Sequence, residues 1–411
     1  MNDVTKKTGP LAGLSVVELG STVAGPFCAR LLADFGADVI KIEQAEGDAI
    51  RSFSHRKDGV SLYSASMQRG KRIASINLRE PEGRTLVRAL CEKADIVVEN
   101  FRPGTLENWG MGYEDLAKVN PGLIMVRISG FGQDGPYASR GGYGVICEAV
   151  SGLREITGDP DRPPPRVATS MADYIAGLYG AFGAMMALHE RDKTGKGQVV
   201  DSTLYEGSFS FMEPHIPVYQ QLGIIAKRAG PLLPGNAPNS IYPTRDGRYV
   251  LLAAAVNPVF KRLTEAMGRP ELMDDPRFST AVARAENQPA LDALIAEWSA
   301  TLDLADAEVA LEQAKVPAAR IYNVKDIFDD PHYRARGMLV QVEDETLGTV
   351  TVTGVVPKLS QTPGAVAWAG RATGADTAGV LAGDLGLDPA EIARLEAAGV
   401  IAKARLKDKT A

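Results

Sequence analysis

The first half of the chain repeats one pattern, a short apolar run rich in β-branched residues followed by a stretch of helical character. The apolar runs occupy 16–19, 37–43, 73–78, 95–100 and 123–129. Between two of these runs, the segment 81–94 starts with a proline and is typical of an intervening helix. Strands that are apolar on both faces and are separated by helices form parallel sheets buried on both sides. The pattern predicts an α/β fold.

The chain is long enough to need more than one hydrophobic core. At 411 residues, two domains are expected. The alternation ends after TGKGQ (194–198), and the stretch 225–240, which contains several prolines and glycines, is typical of a linker. A strand near 249–255 and an amphipathic helix with Leu291 and Ile295 on one face then predict a second unit.

Charge and hydropathy exclude several classes of protein. The chain has 51 Asp and Glu against 45 Lys and Arg, and this formal net charge of -6 argues against a nucleic-acid-binding protein. The N-terminus has no apolar core of signal-peptide length, and the longest apolar run, 174–188, is too short to cross a bilayer. We expect a cytoplasmic protein that binds neither nucleic acid nor membrane.

The cysteines and histidines do not indicate a metal site. The three cysteines form no C-x-x-C pair, which is typical of a reducing compartment. The four histidines lie far apart in the sequence, and no H-E-x-x-H motif occurs. The G-x-S-x-G turn of Ser-His-Asp hydrolases is also absent from the sequence. The residues concerned are Cys28, Cys91, Cys147, His55, His189, His215 and His332.

The first strand, its turn and the following helix resemble the layout of a nicotinamide-dinucleotide site. The turn is STVAGP (21–26), and the acidic Glu43 ends the second strand. The three-glycine fingerprint is missing, because Gly25 is the only glycine in the turn. The backbone amides at the start of a helix can nevertheless hold a phosphate or a pantetheine amide. The turn therefore predicts either a structural connection or a site for such a group, with a nicotinamide oxidoreductase as an alternative.

Basic residues cluster where the predicted strands end. Each is individually an ordinary surface charge, but together they could bind phosphate groups. Phe101 and Trp109 lie close enough in the sequence to stack on a purine. The basic positions are Lys41, Arg51 and the segments QRGKR (68–72) and NFRPG (100–104).

Asp173 is the sharpest candidate for chemistry. It stands at the head of a Gly- and Ala-rich helix, in ATSMADYIAGLYG. An aspartate in this position usually caps the helix. The same position also suits a nucleophile, because the helix dipole and free amides keep a carboxylate ionised beside an apolar wall.

Long segments of the chain resemble the family III CoA-transferases, a family that also contains the α-methylacyl-CoA racemases. The similarity runs in order through nearly the whole sequence, so it is more specific than any single motif. The matching segments are 16–43, 99–137, 141–152, 172–198 and 385–401.

The resemblance implies an architecture as well as a function. It implies a Rossmann-like large domain built from both chain ends, an inserted smaller domain, and a homodimer of two interlocked rings. The expected ranges are 1–200 for the first part of the large domain, 201–240 for a linker, 241–330 for the small domain and 331–411 for the return linker and the rest of the large domain. CoA and acyl-CoA are then substrates, together with a small carboxylic acid, and no tightly bound cofactor is expected.

The resemblance also assigns residues. The nucleophilic aspartate of the family falls on Asp173, which would carry the acyl group as an anhydride and CoA as a thioester. For this chemistry we expect backbone amides near Gly142 and at the start of the Asp173 helix to stabilise the oxyanion. Contacts with CoA fall on Val23, Ala24, Arg72, Asn100, Phe101, Arg102 and Tyr143.

Three departures from the family pattern refine the expected activity. The racemases carry a histidine where this chain has Tyr143, and tyrosine, with a reference pKa of about 10, is a poor near-neutral base. This substitution favours a transferase over a racemase. Val23 replaces the glutamine of the formyl-CoA enzymes, and 230–240 lacks their glycine loop, which argues against a preference for oxalate or formate. Among the substrates of the family, a different small acid, such as a dicarboxylate with succinyl-CoA as donor, is then expected. A racemase, a nicotinamide oxidoreductase and a non-catalytic acyl-CoA-binding protein remain as alternatives.

Overall fold

The computed structural model describes residues 8–404, which form two compact units. Within these residues the first unit contains 8–153, Val167–Pro217 and 332–404, and the second contains Arg154–Arg166 and Val218–Pro331. The ends of the predicted ranges, 1–7 and 405–411, lie outside the described residues. The division at 201, 241 and 331 stays a prediction.

The first unit contains a sheet of seven strands in the order β14-β5-β2-β1-β6-β7-β8, and β14 is antiparallel to β5 while the other strands are parallel. The five predicted strands are confirmed within two residues at each end. The C-terminal β14 joins a sheet that the first 203 residues otherwise supply. The strands are β1 Ser15–Glu18, β2 Asp38–Glu43, β3 Arg56–Lys57, β4 Val60–Ser61, β5 Lys71–Ile76, β6 Ile96–Glu99, β7 Ile124–Ser129, β8 Val199–Thr203, β9 Asn239–Pro243, β10 Tyr249–Ala253, β11 Ala318–Arg320, β12 Leu339–Asp344, β13 Gly348–Thr353 and β14 Ile401–Ala402.

Helices cover both faces of this sheet. One face packs against α1 and α8, and the other against α3, α17 and α18. The helices are α1 Ala24–Asp34, α2 Leu62–Met67, α3 Pro81–Lys93, α4 Thr105–Asn108, α5 Tyr113–Ala117, α6 Gly144–Val150, α7 Leu153–Ile156, α8 Met171–Thr194, α9 Leu204–Phe209, α10 His215–Leu222, α11 Asn257–Ala266, α12 Ala281–Glu286, α13 Gln288–Ser299, α14 Leu304–Gln313, α15 Val324–Asp329, α16 Pro331–Ala335, α17 Thr377–Gly383 and α18 Pro389–Ala397. Short 3₁₀ turns occupy Ala49–Ser52, Ser210–Met212 and Pro270–Met273.

The pleat of the sheet explains why neighbouring residues of one strand enter different cores. Val16 packs towards α1 and α8, whereas Val17 packs towards α3. The strand is thus apolar at consecutive positions, which is the pattern that predicted burial on both faces.

α8 packs closely along α1 because its contact face is made of small residues. A Cβ atom at Gly177 would lie 2.7 Å from the carbonyl oxygen of Ala24, and one at Gly180 would lie 3.4 Å from Cys28 Sγ. With 24 residues, α8 is long and apolar enough to cross a membrane by length and composition alone, so the prediction from 174–188 that it is too short was wrong. Its contacts with α1, β7 and β8 are those of a core helix.

The second unit has its own antiparallel sheet in the order β11-β10-β9 and a separate core. Leu291 and Ile295 of α13 lie in this core, as their helical spacing predicted. Phe260 and Leu263 of α11 are buried beside them. The predicted strand near 249–255 is β10.

Candidate active site

The strand order places a crevice between the carboxyl ends of β1 and β6. Apart from β14, the sheet follows the doubly wound order in which the chain reverses direction next to its first strand, and ligands of such sheets bind outside the carboxyl ends at that point. The turn 20–23 after β1 and the segment that starts at Asn100 after β6 meet there.

Asn100 fixes the turn between β1 and α1. Its Oδ1 accepts a hydrogen bond from the Ser21 amide at 2.8 Å, and its Nδ2 donates to the Ser21 carbonyl at 2.8 Å. The turn is compact, because a Cβ atom at Gly20 would lie 3.1 Å from the Cα of Gly25. Asn100 therefore shapes the turn with both ends of its amide.

Asp48 holds the same turn from the other side. Thr22 has a φ of 74°, a left-handed conformation that costs a non-glycine residue about 1–2 kcal/mol. The Asp48 Oδ1 atom accepts hydrogen bonds from the amides of Thr22 and Ile50, both at 2.9 Å. The strained residue is thus held by a carboxylate from outside the turn.

Two lysines and two carboxylates lie completely buried beneath the turn. Lys41 Nζ contacts Glu18 Oε1 at 2.9 Å and Asp48 Oδ2 at 2.8 Å, and Lys71 Nζ contacts Glu18 Oε2 at 2.7 Å. The lysines also donate to backbone carbonyls of the turn region, Lys41 to Gly20 at 2.5 Å and Lys71 to Pro26 at 2.8 Å. This cluster fixes the backbone on both sides of the turn.

The cluster balances its charges internally. Burial raises the pKa of Asp48, but Lys41 and the hydrogen bonds to the carboxylate outweigh burial and lower it to about 2. Burial lowers the pKa of Lys71 to about 8 despite its contact with Glu18. Removing one partner from such a buried pair costs about 3–5 kcal/mol. The prediction that Lys41 and Lys71 bind phosphate was therefore wrong, because both side chains are buried in ion pairs.

Asp173 lies in the first turn of α8, two residues after the helix starts. Ser170 occupies the capping position, so the interpretation of Asp173 as a helix cap was wrong. An anion in the first helical turn is stabilised by the helix dipole and by amides that have no acceptor within the helix. The position therefore favours an ionised carboxylate.

The carboxylate of Asp173 occupies space that Gly144 leaves open at the start of α6. A Cβ atom at Gly144 would lie 2.2 Å from Asp173 Oδ2, far inside van der Waals contact. Any residue with a side chain at 144 would displace this carboxylate.

Two glycines and a buried thiol complete one side of the site. A Cβ atom at Gly142 would lie 2.6 Å from the Cα of Gly130 and 3.2 Å from Cys147 Sγ. Burial raises the pKa of the Cys147 thiol to about 12, and the charge of Asp173 adds to this shift. Cys147 is therefore a neutral thiol beside the carboxylate.

Aromatic residues form the other side. The hydroxyls of Tyr63 and Tyr174 are hydrogen-bonded at 2.8 Å, and Phe27 packs edge-on against Tyr174 with ring centroids 4.7 Å apart. These three side chains pack against a small buried cluster that includes Val23. Asp173 is thus flanked by a glycine-rich segment and by an aromatic group next to the first turn.

Most residues predicted to contact CoA lie along the carboxyl edge of the sheet. Val23 and Ala24, both with buried side chains, begin α1, and Asn100 supports their turn. Arg102 is exposed and forms no ion pair within 8–404. Tyr143 is 79% exposed and precedes α6.

Phe101 packs mainly against the protein. Its ring centroid lies 5.4 Å from that of Trp109 in an edge-on contact, and both rings pack against the core under α3. The backbone amide of Phe101 donates to Glu99 Oε2 at 2.8 Å, which fixes the start of the loop after β6.

Arg72 lies elsewhere, at the amino end of β5. Its guanidinium donates to Asp384 Oδ2 at 2.7 Å and forms an ion pair with Asp38 at the start of β2. Burial lowers the pKa of Arg72, but the hydrogen bonds to Asp384 and Asp38 outweigh burial and raise it. The structure therefore does not bring Arg72 to the carboxyl edge where the other predicted residues lie.

Three residues of this site were not predicted from the sequence. Gly144 is the last glycine of GGYG, but nothing in the sequence indicates that it lies next to Asp173, because only the fold brings the two residues together. Asp48 follows the second strand, where parallel sheets deliver functional side chains, and this position could have singled it out. Tyr63 lies in a short helix, α2, whose residues form no recognisable functional motif.

The second unit contains a separate groove of about 1010 Å³ between α14, β11 and α15. Four of its charged residues pair with one another, Arg320 with Glu308 and Lys325 with Asp329. The described part of the chain contains no cluster of His, Cys, Asp or Glu that could hold a metal ion.

Comparison with known proteins connects this geometry to an enzyme family. The family model of CoA-transferase family III matches residues 11–377. Succinyl-CoA–D-citramalate CoA-transferase from Chloroflexus aurantiacus is 48% identical over 394 residues, which cover 95% of this chain and 98% of that protein. The beta subunit of succinyl-CoA–L-malate CoA-transferase from the same organism is 39% identical over 404 residues, with coverages of 97% and 100%.

A solved structure has the same fold. The crystal structure of a CaiB/BaiF family protein from Brucella suis matches with a TM-score of 0.82 at 35% identity, and the match covers 92% of this chain and 99% of that chain. The resemblance to family III and the predicted enzyme class are thereby confirmed. The nicotinamide alternative was wrong, although the strand order is that of dinucleotide-binding proteins.

Proposed function

This CoA-transferase belongs to CoA-transferase family III, and we propose that it moves CoA from succinyl-CoA to a small dicarboxylic acid through covalent intermediates on Asp173. The observation that carries the proposal is the Asp173 carboxylate, held in the first turn of α8 against Gly144. Two relatives have succinyl-CoA in their names, which supports this donor. Their other substrates, D-citramalate and L-malate, support a hydroxydicarboxylic acid as acceptor.

In the first half of the proposed reaction, Asp173 exchanges an acyl group for CoA. A carboxylate oxygen of Asp173 attacks the thioester carbonyl, the C–S bond breaks, and a mixed anhydride and CoA thiolate form. The thiolate then attacks the Asp173 carbonyl carbon of the anhydride and releases succinate. Asp173 is left as a CoA thioester, and no proton or electron is gained or lost.

The second half repeats these steps with the acceptor. The acceptor carboxylate attacks the aspartyl thioester and releases CoA thiolate, and the thiolate then attacks the acceptor carbonyl of the new anhydride. The product thioester leaves, and the carboxylate of Asp173 is regenerated. Splitting one difficult exchange into such steps is the advantage of a covalent nucleophile.

Each attack creates an oxyanion that needs hydrogen-bond donors. We assign this role to backbone amides near Gly142 and at the start of α8, because Gly142 lies beside Cys147 and Gly144 lies beside Asp173. Donors held in place before the reaction stabilise the charge that develops in the transition state. The close packing of Gly142 on Gly130 supports such a fixed arrangement.

The proposal is tested by incubating the protein with succinyl-CoA and citramalate, malate, glutarate, acetate or formate, and detecting new CoA thioesters by mass spectrometry. We expect thioesters of the hydroxydicarboxylic acids to form fastest. Acetyl-CoA and formyl-CoA serve as control donors. The proposal would be contradicted if none of the acceptors gave a new CoA thioester. Deuterium uptake from D₂O at the α-carbon of a 2-methylacyl-CoA would favour the racemase alternative.

We also propose that the protein acts as a homodimer of interlocked chains. α8 has an exposed apolar stripe at Leu178, Phe182 and Met186, which are 56%, 57% and 52% exposed. Side chains four residues apart lie on one face of a helix, and an exposed apolar face of this kind is typical of a protein interface. A second copy that covers this face fits the linked-ring arrangement expected from the family.

Light scattering coupled to gel filtration is expected to give twice the chain mass of 43.8 kDa at micromolar and nanomolar concentrations. Interlocked chains cannot separate on dilution without unfolding, which distinguishes them from an ordinary dimer. Phe182→Glu is expected to reduce the yield of dimer on refolding, whereas Val119→Glu, at an exposed valine outside α8, should not. A mass of one chain for the unchanged protein would refute the dimer.

A further inference from the structure

Arg30, on α1, is a nearly buried cation that has no hydrogen-bonding partner among residues 8–404. Its side chain is 11% exposed, and its Nε atom is buried without a hydrogen bond in the described structure. The nearest carboxylate oxygen, Asp34 Oδ2, lies 3.8 Å from Nε, which is beyond hydrogen-bonding distance.

Asp34 cannot neutralise Arg30, because it is already paired. Arg69 donates to both carboxylate oxygens of Asp34, from Nε at 2.9 Å and from a terminal nitrogen at 2.7 Å. Two guanidinium groups therefore share one carboxylate, and one positive charge remains. Burial, with a further contribution from Arg69, lowers the pKa of Arg30 to about 10, and the charge of Asp34 only partly opposes this shift.

The Arg30 guanidinium lies next to the aromatic side of the active site. Its carbon atom stands 4.6 Å above the centroid of the Phe27 ring, and Phe27 in turn packs on Tyr174, the neighbour of Asp173. Tyr63, which is hydrogen-bonded to Tyr174, lies close enough to Arg30 and Asp173 for both charges to affect its pKa. Burial and the bond to Tyr174 raise the pKa of Tyr63, the charge of Asp173 raises it further, and the charge of Arg30 lowers it.

We propose that Arg30 binds the free carboxylate of a dicarboxylic acyl group while Asp173 attacks the thioester at its other end. This inference rests on the proposed transferase function and adds the residue that selects the substrate class. A guanidinium pairs with a carboxylate through two parallel hydrogen bonds, and the paired charge completes the cluster of Arg30, Arg69 and Asp34.

The experiment compares succinyl-CoA with butyryl-CoA, which has the same chain length and a methyl group in place of the carboxylate. For Arg30→Gln, kcat/KM with succinyl-CoA divided by kcat/KM with butyryl-CoA is expected to fall about 100-fold, mainly through KM for succinyl-CoA. Arg30→Lys keeps the positive charge but cannot form the two parallel hydrogen bonds. Its ratio of kcat/KM values should therefore lie between those of the unchanged protein and Arg30→Gln. Arg88→Gln, which removes an exposed arginine of α3, is the matched control and should leave the ratio unchanged.

If Arg30→Gln lowered kcat/KM equally for succinyl-CoA and butyryl-CoA, the proposal would be overturned and Arg30 would have a structural role. Equal kcat/KM values for the two thioesters in the unchanged protein would also overturn it, and this test does not depend on a variant that folds. Transfer from neither thioester would refute the proposed function instead. Calorimetric binding of the two thioesters would then still test Arg30, with tighter binding of succinyl-CoA expected and equal affinities contradicting its role.

Discussion

Asp173→Asn is expected to lower the rate of CoA exchange by at least about 10³-fold, because an amide cannot form the anhydride or the thioester that carry the reaction. Asparagine has nearly the same shape, so the packing against Gly144 is kept. CoA binding, measured by calorimetry, and the melting temperature should change little. The rate is measured as the formation of product thioester from succinyl-CoA.

Chemical trapping makes the same prediction more specific. Hydroxylamine added to the unchanged protein with succinyl-CoA should convert Asp173 to a hydroxamate, detected by peptide mass spectrometry, and no such product should form without acyl-CoA. Asp192→Asn, at an exposed aspartate near the other end of α8, is the matched control and should retain both exchange and trapping. Full activity of Asp173→Asn would exclude this residue as the nucleophile.

The layered fold could be predicted from the sequence because its strands are buried on both faces. Runs such as 95–100 and 123–129 are apolar at consecutive positions, and this pattern is typical of a parallel sheet between helices. The strand order was not contained in these local patterns, since it depends on contacts between distant segments such as β14 and β5. The expected contribution of the chain end to the large domain came from the family resemblance.

The prediction that Lys41 and Lys71 bind phosphate failed for a physical reason. Lysines are almost never fully buried unless they are paired, so the sequence alone favoured exposed positions for Lys41 and Lys71. Their partners, Glu18 and Asp48, come from other segments, and only the fold brings these four charges together. The result is a cluster that supports the turn before α1 and does not face a phosphate.

Asp173 could be identified by resemblance, but its environment could not. Taken alone, an aspartate at the start of a helix is usually a cap, and the structure shows that Ser170 occupies the capping position. The same holds for Arg30, because a charged residue on an amphipathic helix is usually solvated. Only the structure shows that Asp34, the carboxylate nearest to Arg30, is already hydrogen-bonded to Arg69.

Gly144→Ala is expected to lower kcat about 100-fold while the protein stays folded. The added Cβ atom would lie 2.2 Å from Asp173 Oδ2, so the carboxylate has to move by about 1 Å, and a displacement of this size at a reacting group costs roughly 10²-fold in rate. Alanine is a better helix former than glycine, and the clash can be relieved by rotating one side chain. The free energy of unfolding should therefore change by less than about 1 kcal/mol.

Gly141→Ala separates this effect from a general loss of flexibility in the glycine-rich segment. A Cβ atom at Gly141 would meet no atom within 4 Å, so this variant should keep the kcat of the unchanged protein. The measurements are steady-state transfer from succinyl-CoA and urea unfolding of both variants. A Gly144→Ala protein with unchanged kcat would mean that the reacting carboxylate does not occupy the space beside α6, whereas a loss confined to Gly144→Ala would support the position of Asp173 as the one from which it attacks.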